Sequence, residues 1–386
     1  MTERERFLAV ASNAATDYVP IFGFDGAPGM SGGCMKHTHA RLVETGMPAE
    51  VGGCLDNWVM QDVEGWRRYW GTAGVRGAGI AMAWGAQGFK VNSREEDGYV
   101  ISESETGEVT REVVDNANLY TMPEFVSYSV RDRSSWEFFA ERTKPCEFLP
   151  IEEVREYGKL FVERDQPVTM GLSGAYAHIR GLMGPLNAGF MFFDDPELIH
   201  DIMARLLHDA REYTFPVIES VKPDVVQMGE DLCFNNGMLL SPEQFHEFFG
   251  QYYQEVCDCA HACGVPVIAV DTDGDAMEYT AVAEGYGVNA IFPYEVKAGN
   301  DLFVLRERHP EFTLLGGLEK EVVNEGNEEM IEEEIMSKVP ALLEKGRYFP
   351  NGDHGMQPMV TFDNMCRFMT LLHEVTDNPE GAFPRM

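Results

Sequence analysis

The chain has 386 residues, and its 64 acidic side chains against 30 basic ones set a formal charge of −34. An apolar content of 44% with 11% aromatics supports a packed core and excludes a disordered acidic tail. The charge leaves no basic footprint for nucleic acid, and it disfavours anionic lipid and polyanionic substrates.

The first residues, MTERERFLAV, lack the basic start and apolar run of a signal peptide. No run of about 18 apolar residues predicts a membrane-spanning helix. Eight scattered cysteines beside a full core predict reduced thiols and a cytoplasmic location.

Residues 1–15 read as a short helix, and VPIFGFDG at 19–26 as a buried strand over 19–24 entering a loop. Residues 27–60 are rich in Gly and Met around an amphipathic piece, HTHARLVETG. Period-two alternation with DG and TG turns over 88–116 predicts a β-hairpin or meander. Residues 131–143 read as a helix capped by Ser134 or Ser135. From residue 150 short apolar strands alternate with amphipathic helices, the rhythm of βα units on a parallel sheet. The strands are expected at 167–170, 225–229, 267–271, 290–294, 313–316 and 347–351. With 19–24 and one more from the N-terminal half they make about eight, so a single (β/α)8 TIM barrel is expected. No GxGxxG follows a first strand, which argues against a doubly wound sheet. Residues 1–150 form an N-terminal helical and β-hairpin extension with the first barrel elements, and 151–386 form the rest of one barrel domain.

In an α/β barrel the chemistry sits at the C-terminal strand ends. Those ends carry Glu230 and Asp231, then Asp271, Asp273 and Asp275, then Glu295, Glu319, Asp353 and His354. Capping of the following helices accounts for Asp231 and Asp275. It explains Asp271 poorly, because that residue still belongs to its strand. Asp271 and Asp273 are two apart and leave an extended segment on one face. Converging carboxylates with an imidazole suit a divalent metal. Without one they repel and raise at least one pKa.

Cys257, Cys259, His261 and Cys263 form a second cluster, but on a helix steps of two turn about 200° and all four cannot reach one ion. They read as small residues packing a helix end, and His37 and His39 as surface residues. Arg180, after Tyr176 and His178, could hold a substrate carboxylate or make a structural ion pair. There is no P-loop, HExxH or nucleophile elbow.

Several segments together resemble the uroporphyrinogen decarboxylase superfamily: MPEFVSYSVRDRSSWEFFAER, FMFFDDPELIHDIM, MGEDLCFNNGMLLSPEQFHEFF, VPVIAVDTDGD, IFPYEVKAGNDLFVLR, LLGGLEK and GRYFPNGDHGMQPMVTFDN. The resemblance implies a distorted (β/α)8 barrel. It covers most of the chain from about residue 120. The decarboxylases of the superfamily carry an arginine-rich signature of the type RQAGRY that grips tetrapyrrole carboxylates. Here the equivalent IFGFDGAPGMSGG has no arginine. The other branch is cobalamin-dependent methyltransferases, which use zinc and a corrinoid protein. Their thiol-methylating members resemble H-x-C followed by a later Cys. Here Asp271-Thr272-Asp273 and His354 stand at those places. The DTDGD and DH versions look like the methyltransferase components of O-demethylase systems. Oxygen and imidazole ligands leave zinc more Lewis-acidic than thiolates do, which suits departure of a phenoxide.

The resemblance therefore implies a corrinoid-dependent methyltransferase. It would move a methyl group from a methoxylated, aromatic substrate to the Co(I) of a partner corrinoid protein. Zinc would be held by a subset of Glu230, Asp271, Asp273 and His354, with Glu295 in reserve. Asp353 or Glu295 would orient a ligand or act as general acid. Tyr176, His178, Arg180, Phe292 and Tyr294 would line the substrate pocket. The alternatives are an N- or S-methyl donor, a decarboxylation, or a non-catalytic binding barrel. Neither nucleic acid nor membrane is expected as a partner, and a homodimer is left open.

Overall fold

In the computed structural model, strands and helices alternate from Val168 onward, as the hydrophobic pattern predicts. The structure describes the chain except residues 28–29, 35, 53, 57–58, 61, 79–88, 115–122 and 144–150, and except the side chains of 36, 54–56 and 59–60. Cys146 and the side chain of Cys54 therefore lie outside the described residues.

Seven strands form one curled parallel sheet: β1 (Arg76–Gly77), β2 (Val168–Ser173), β3 (Val225–Gly229), β4 (Val267–Thr272), β5 (Ala290–Pro293), β6 (Thr313–Leu315) and β7 (Tyr348–Phe349). They pair in chain order, the sequence of a barrel wall. Alternate residues face opposite ways. Val226, Met228, Ile268, Val270, Ile291 and Leu314 pack outward on the helices. Val225, Val267, Ala269, Ala290, Phe292, Leu315 and Phe349 point inward and fill the lower barrel.

The expected strand at 19–24 occupies the seam without joining the ladder. Ala73 N donates to Ile21 O at 2.7 Å, and the Asn351 side-chain amide donates to Phe22 O. Ile21, Phe22 and Phe24 are buried there. Phe24 turns the chain with φ 53°, and a Cβ on Gly23 would overlap Thr72. Close approach and this turn prevent regular pairing, and they account for the distortion of the barrel.

The N-terminal helix α1 (Glu3–Ala11) is shorter than the expected 1–15. Thr2 and Glu5 close a capping box, and Asn13 at φ 56° leads the chain away after the helix. Its Phe7, Val10 and Ala11 plug the bottom of the barrel, with Phe7 stacked on Phe349 at 5.3 Å.

The expected meander is present as an antiparallel sheet of Val91–Glu96, Tyr99–Ser104 and Val109–Val113. Asp97 and Gly98, both at positive φ, make its first turn. A fourth strand, Glu124–Ser127, extends it. The helix Arg133–Arg142 is capped by Asp132, not by Ser134 or Ser135. Asp132 accepts from Ser135 N at 2.8 Å, and Ser135 Oγ accepts in turn from Asp132 N. Among the described residues no helix is long and apolar enough to cross a membrane.

Candidate active site at the barrel mouth

The strand ends bring Asp271, Asp273 and His354 to the same side of the mouth. Asp271 faces inward on β4, level with Gly229 and Phe292 on the flanking strands. Gln227, on the same inner face, donates from Nε2 to Asp271 Oδ2 at 2.7 Å. Burial pushes the Asp271 carboxyl up to about 7, and the nearby Asp231 and Asp273 charges add to the rise. Asp273 Oδ1 lies 3.4 Å from His354 Nε2. Burial opposes the Asp273 charge, but the imidazole outweighs it and holds the carboxyl below its usual value. Burial likewise disfavours a charged His354, yet Asp273 holds its pKa above the ordinary value.

Asp231, read from sequence as a helix cap, belongs to this cluster. Its backbone N–H donates to Asp271 O at 3.2 Å, and its carboxylate pairs with Arg180. That ion pair is the structural reading of Arg180.

Glu230 stands apart. Its Oε1 accepts from Ala175 N at 2.8 Å and from the Tyr253 hydroxyl at 2.6 Å. Its Oε2 accepts from Tyr176 N at 2.8 Å and Ala177 N at 3.0 Å. These donors are the first turn of helix α2 (Ala175–Met183), so Glu230 is the cap that Gly174 lacks. Burial raises its carboxyl to about 7 against the pull of those four donors. With both oxygens committed, it is not available as a metal ligand.

Asp353 is buried and accepts from Val296 N at 2.7 Å and Lys320 N at 2.9 Å. Glu295 accepts from Gly274 N at 2.9 Å and from the Lys320 ammonium at 3.1 Å. Both carboxylates therefore stitch together the loops after β4, β5, β6 and β7. Lys320, which the sequence reading missed, joins them from the end of GGLEK. Burial works against its charge, but Asp353, Glu295 and Glu321 hold the ammonium above its ordinary pKa.

The expected ring-pocket residues divide. Phe292 faces the barrel interior. Tyr176 is buried at the start of α2, with Arg180, Glu230 and Asp231 close enough to affect its hydroxyl. His178 is buried on α2, and burial, with Arg205 nearby, pushes its imidazole down to about 3. Tyr294 packs in the helix layer, its hydroxyl 3.2 Å from that of Thr280. His178 and Tyr294 therefore do not line the barrel interior: His178 is buried on α2, and Tyr294, though in phase with Phe292, follows the end of its strand in a left-handed turn at φ 57°.

The inner wall holds something else. Register places Gly77, Gly171 and Gly229 inward on β1, β2 and β3, beside Thr169, Gln227 and Asp271. A Cβ on Gly77 or Gly171 would meet no described atom within 4 Å. Gly171 is solvent-exposed although it lies mid-strand. Among the described residues the inner face therefore carries no side chain at Gly77 and Gly171, next to Thr169 and Gln227. The signal in the sequence was a glycine inside the apolar run VTMGLS.

Among the described residues no three His, Cys, Asp or Glu side chains are grouped so as to hold a metal ion. The Asp273–His354 pair nevertheless has the spacing of two donors on one tetrahedral zinc, about 3.3 Å for bonds near 2.0 Å. Two donors are thus in place, and Asp271 is the adjacent third carboxylate.

A curled α/β barrel with acidic groups and an imidazole at its C-terminal strand ends has the plan of a TIM-barrel protein whose site lies at the mouth. The chain belongs to the uroporphyrinogen decarboxylase (URO-D) family, whose profile matches residues 151–375. A solved methyltransferase from Methanosarcina mazei shares the fold, with a TM-score of 0.56 over 97% of this chain and 99% of that one. At 13% identity this likeness speaks for the fold alone. No curated protein matches the sequence.

Proposed function

We propose that the chain is a corrinoid-dependent methyltransferase that takes the methyl group of a methoxylated aromatic compound. The observation that carries this reading is the bare backbone at Gly77 and Gly171 on the inner face that also carries Asp271, with Asp273 and His354 at the mouth. A flat ring can lie against backbone at Gly77 and Gly171, where any side chain would occupy the space. The described cations at the mouth, Arg180, Lys297 and Lys320, are paired with Asp231, with Glu319, and with Glu295 and Asp353. They leave no clamp for a polycarboxylate, which speaks against tetrapyrrole decarboxylation.

When bound, zinc held by Asp273 and His354 would activate the ether oxygen, and a corrinoid carried by a partner protein would supply the Co(I) nucleophile. The chain's own groups do the rest. Glycine walls and Phe292 orient the ring, and Gln227 fixes the Asp271 carboxyl. As the methyl–oxygen bond breaks, its electron pair stays on oxygen. Burial favours the neutral form of the Asp271 carboxyl, which can then protonate that leaving oxygen. Asp271 therefore takes the general-acid role expected of Asp353 or Glu295, and those two hold the loops.

The test is anaerobic incubation of the purified protein with zinc, free cob(I)alamin and a panel of methoxyarenes. The expected result is conversion of the Co(I) spectrum to methyl-Co(III). An unchanged spectrum across the panel overturns the reading. Conversion only with N- or S-methyl donors keeps methyl transfer but changes the donor. Release of CO2 without cobalt indicates a decarboxylase.

A further inference from the structure

Strand β7 ends at Phe349, and the chain runs on through Asp353 and His354 to the last helix, Phe362–Val375. One edge of this run is held from β6. Leu318 N donates to Asn351 O at 3.1 Å, and Asp353 N donates to Leu318 O at 2.7 Å. The other edge faces the seam, where no described strand joins the ladder beyond β7.

Residues of the N-terminal segment occupy that edge instead. Cys34 bridges Met356 in the parallel sense. Thr38, on the helix Lys36–Glu44, is fully buried, and its hydroxyl donates to Met356 O at 2.7 Å. Thr45, one residue past that helix, accepts from Phe362 N at 2.9 Å. Gly32 lies directly against the backbone that leaves His354. A Cβ there would overlap the His354 carbonyl carbon and Gly355 N and Cα. So close an approach of backbone to backbone leaves room for glycine alone.

The segment is itself anchored. The Asp25 carboxylate, 1% exposed, accepts from Arg67 Nε at 2.6 Å, from Ser31 Oγ at 2.7 Å and from Ala27 N at 3.2 Å. A buried ion pair with these added donors fixes Ser31, one residue before Gly32. The His354 loop thus rests on a braced wall.

We propose that Gly32 and Thr38 are positioning residues for His354, holding the loop after β7 where the imidazole meets Asp273. The inference rests on Asp273 and His354 being the zinc donors. Neither Gly32 nor Thr38 can bind the ion, since one has no side chain and the other gives its hydroxyl to Met356 O. They act by fixing where the His354 side chain begins. A drift of the loop by about an ångström would break the 3.4 Å approach of Nε2 to Asp273 Oδ1.

The test uses the full chain and two measurements. The first is zinc affinity by competition with a chromophoric chelator. The second, on zinc-free protein at one pH, is the rate at which diethyl pyrocarbonate modifies His354, read by peptide mass spectrometry. Gly32→Ala and Thr38→Val each weaken zinc binding by about tenfold or more. Both speed modification of His354 and leave the half-exposed His200 unchanged. Thr38→Ser keeps the hydroxyl and restores both values. Thr376→Val is the control. That hydroxyl donates to Leu372 O at 2.6 Å at the foot of the seam, where the Thr376 carbonyl accepts from Val19 N. Its loss lowers the melting temperature and leaves zinc affinity as in wild type. If Gly32→Ala does not fold, the Thr38 variants decide. Wild-type zinc affinity and His354 rate in Thr38→Val overturn the proposal. So does a Thr38→Ser no better than Thr38→Val, or a Thr376→Val that weakens zinc as much. A wild type that binds no zinc, with His354 still faster in Thr38→Val, overturns the zinc reading and upholds the positioning.

Discussion

Asp273 and His354 define the site at the scale of single residues, and their spacing makes a zinc prediction direct. Zinc should raise the melting temperature of the protein by mass action, by about 2.7 kcal/mol at a hundredfold excess over its dissociation constant. Asp273→Ala and His354→Ala should each abolish this rise, as differential scanning fluorimetry with and without chelator would show. Asp271 carries a pH prediction in the metal-free protein. Its carboxyl titrates near 7 when folded and about 3.9 when unfolded. The folded state therefore holds the proton more tightly. The benefit is complete below the unfolded pKa and is lost as pH rises through the folded one. Asp271→Asn removes that loss, so it should melt higher than wild type at pH 8, by up to about 3 kcal/mol. At pH 4 the two should melt alike. The same variant should lose methyl transfer.

At the scale of elements, α2 depends on a distant cap. Its N-cap residue, Gly174, has no side chain, and Glu230 from the end of β3 supplies the acceptors. Glu230→Ala leaves those N–H groups buried without partners and should destabilise the fold by about 3 kcal/mol. A urea midpoint shift without a change in slope would establish this. Strand β2 makes the opposite prediction. Gly171 faces open space, so Gly171→Leu should fold with a melting temperature near that of wild type. The leucine should occupy the inner face and cut kcat/KM for methoxyarenes by about a hundredfold, mainly through KM. A variant as active as wild type would place the ring elsewhere.

At the scale of the whole molecule, the charge of −34 acts on folding as well as on partners. Some of it is neutralised locally, as at Arg67 with Asp25 and Lys320 with Glu295. The remainder repels itself across the surface. Raising NaCl from about 0.05 to 0.5 M should therefore raise the melting temperature measured by calorimetry. A flat response would mean that the acidic groups are already compensated.

The sequence by itself determined the barrel and the strand ends that carry chemistry. Hydrophobic periodicity and turn residues are local properties, and βα alternation admits few topologies. It also brought Asp271, Asp273 and His354 forward, because residues at the ends of parallel strands must share one rim. Only the tertiary structure decided what each neighbour does. Glu230 and Asp353 looked like ligands or acids, but the backbone N–H groups that claim them belong to segments tens of residues away. His178 and Tyr294 looked like pocket residues, yet the packing of α2 buries the one and a left-handed turn after β5 puts the other in the helix layer. Gly77 and Gly171 carry no side chain to attract notice, and their role appears only when register turns both to the inner face. Hydrogen-bond partners and empty space are properties of pairs of segments, so the chain reveals them only once folded.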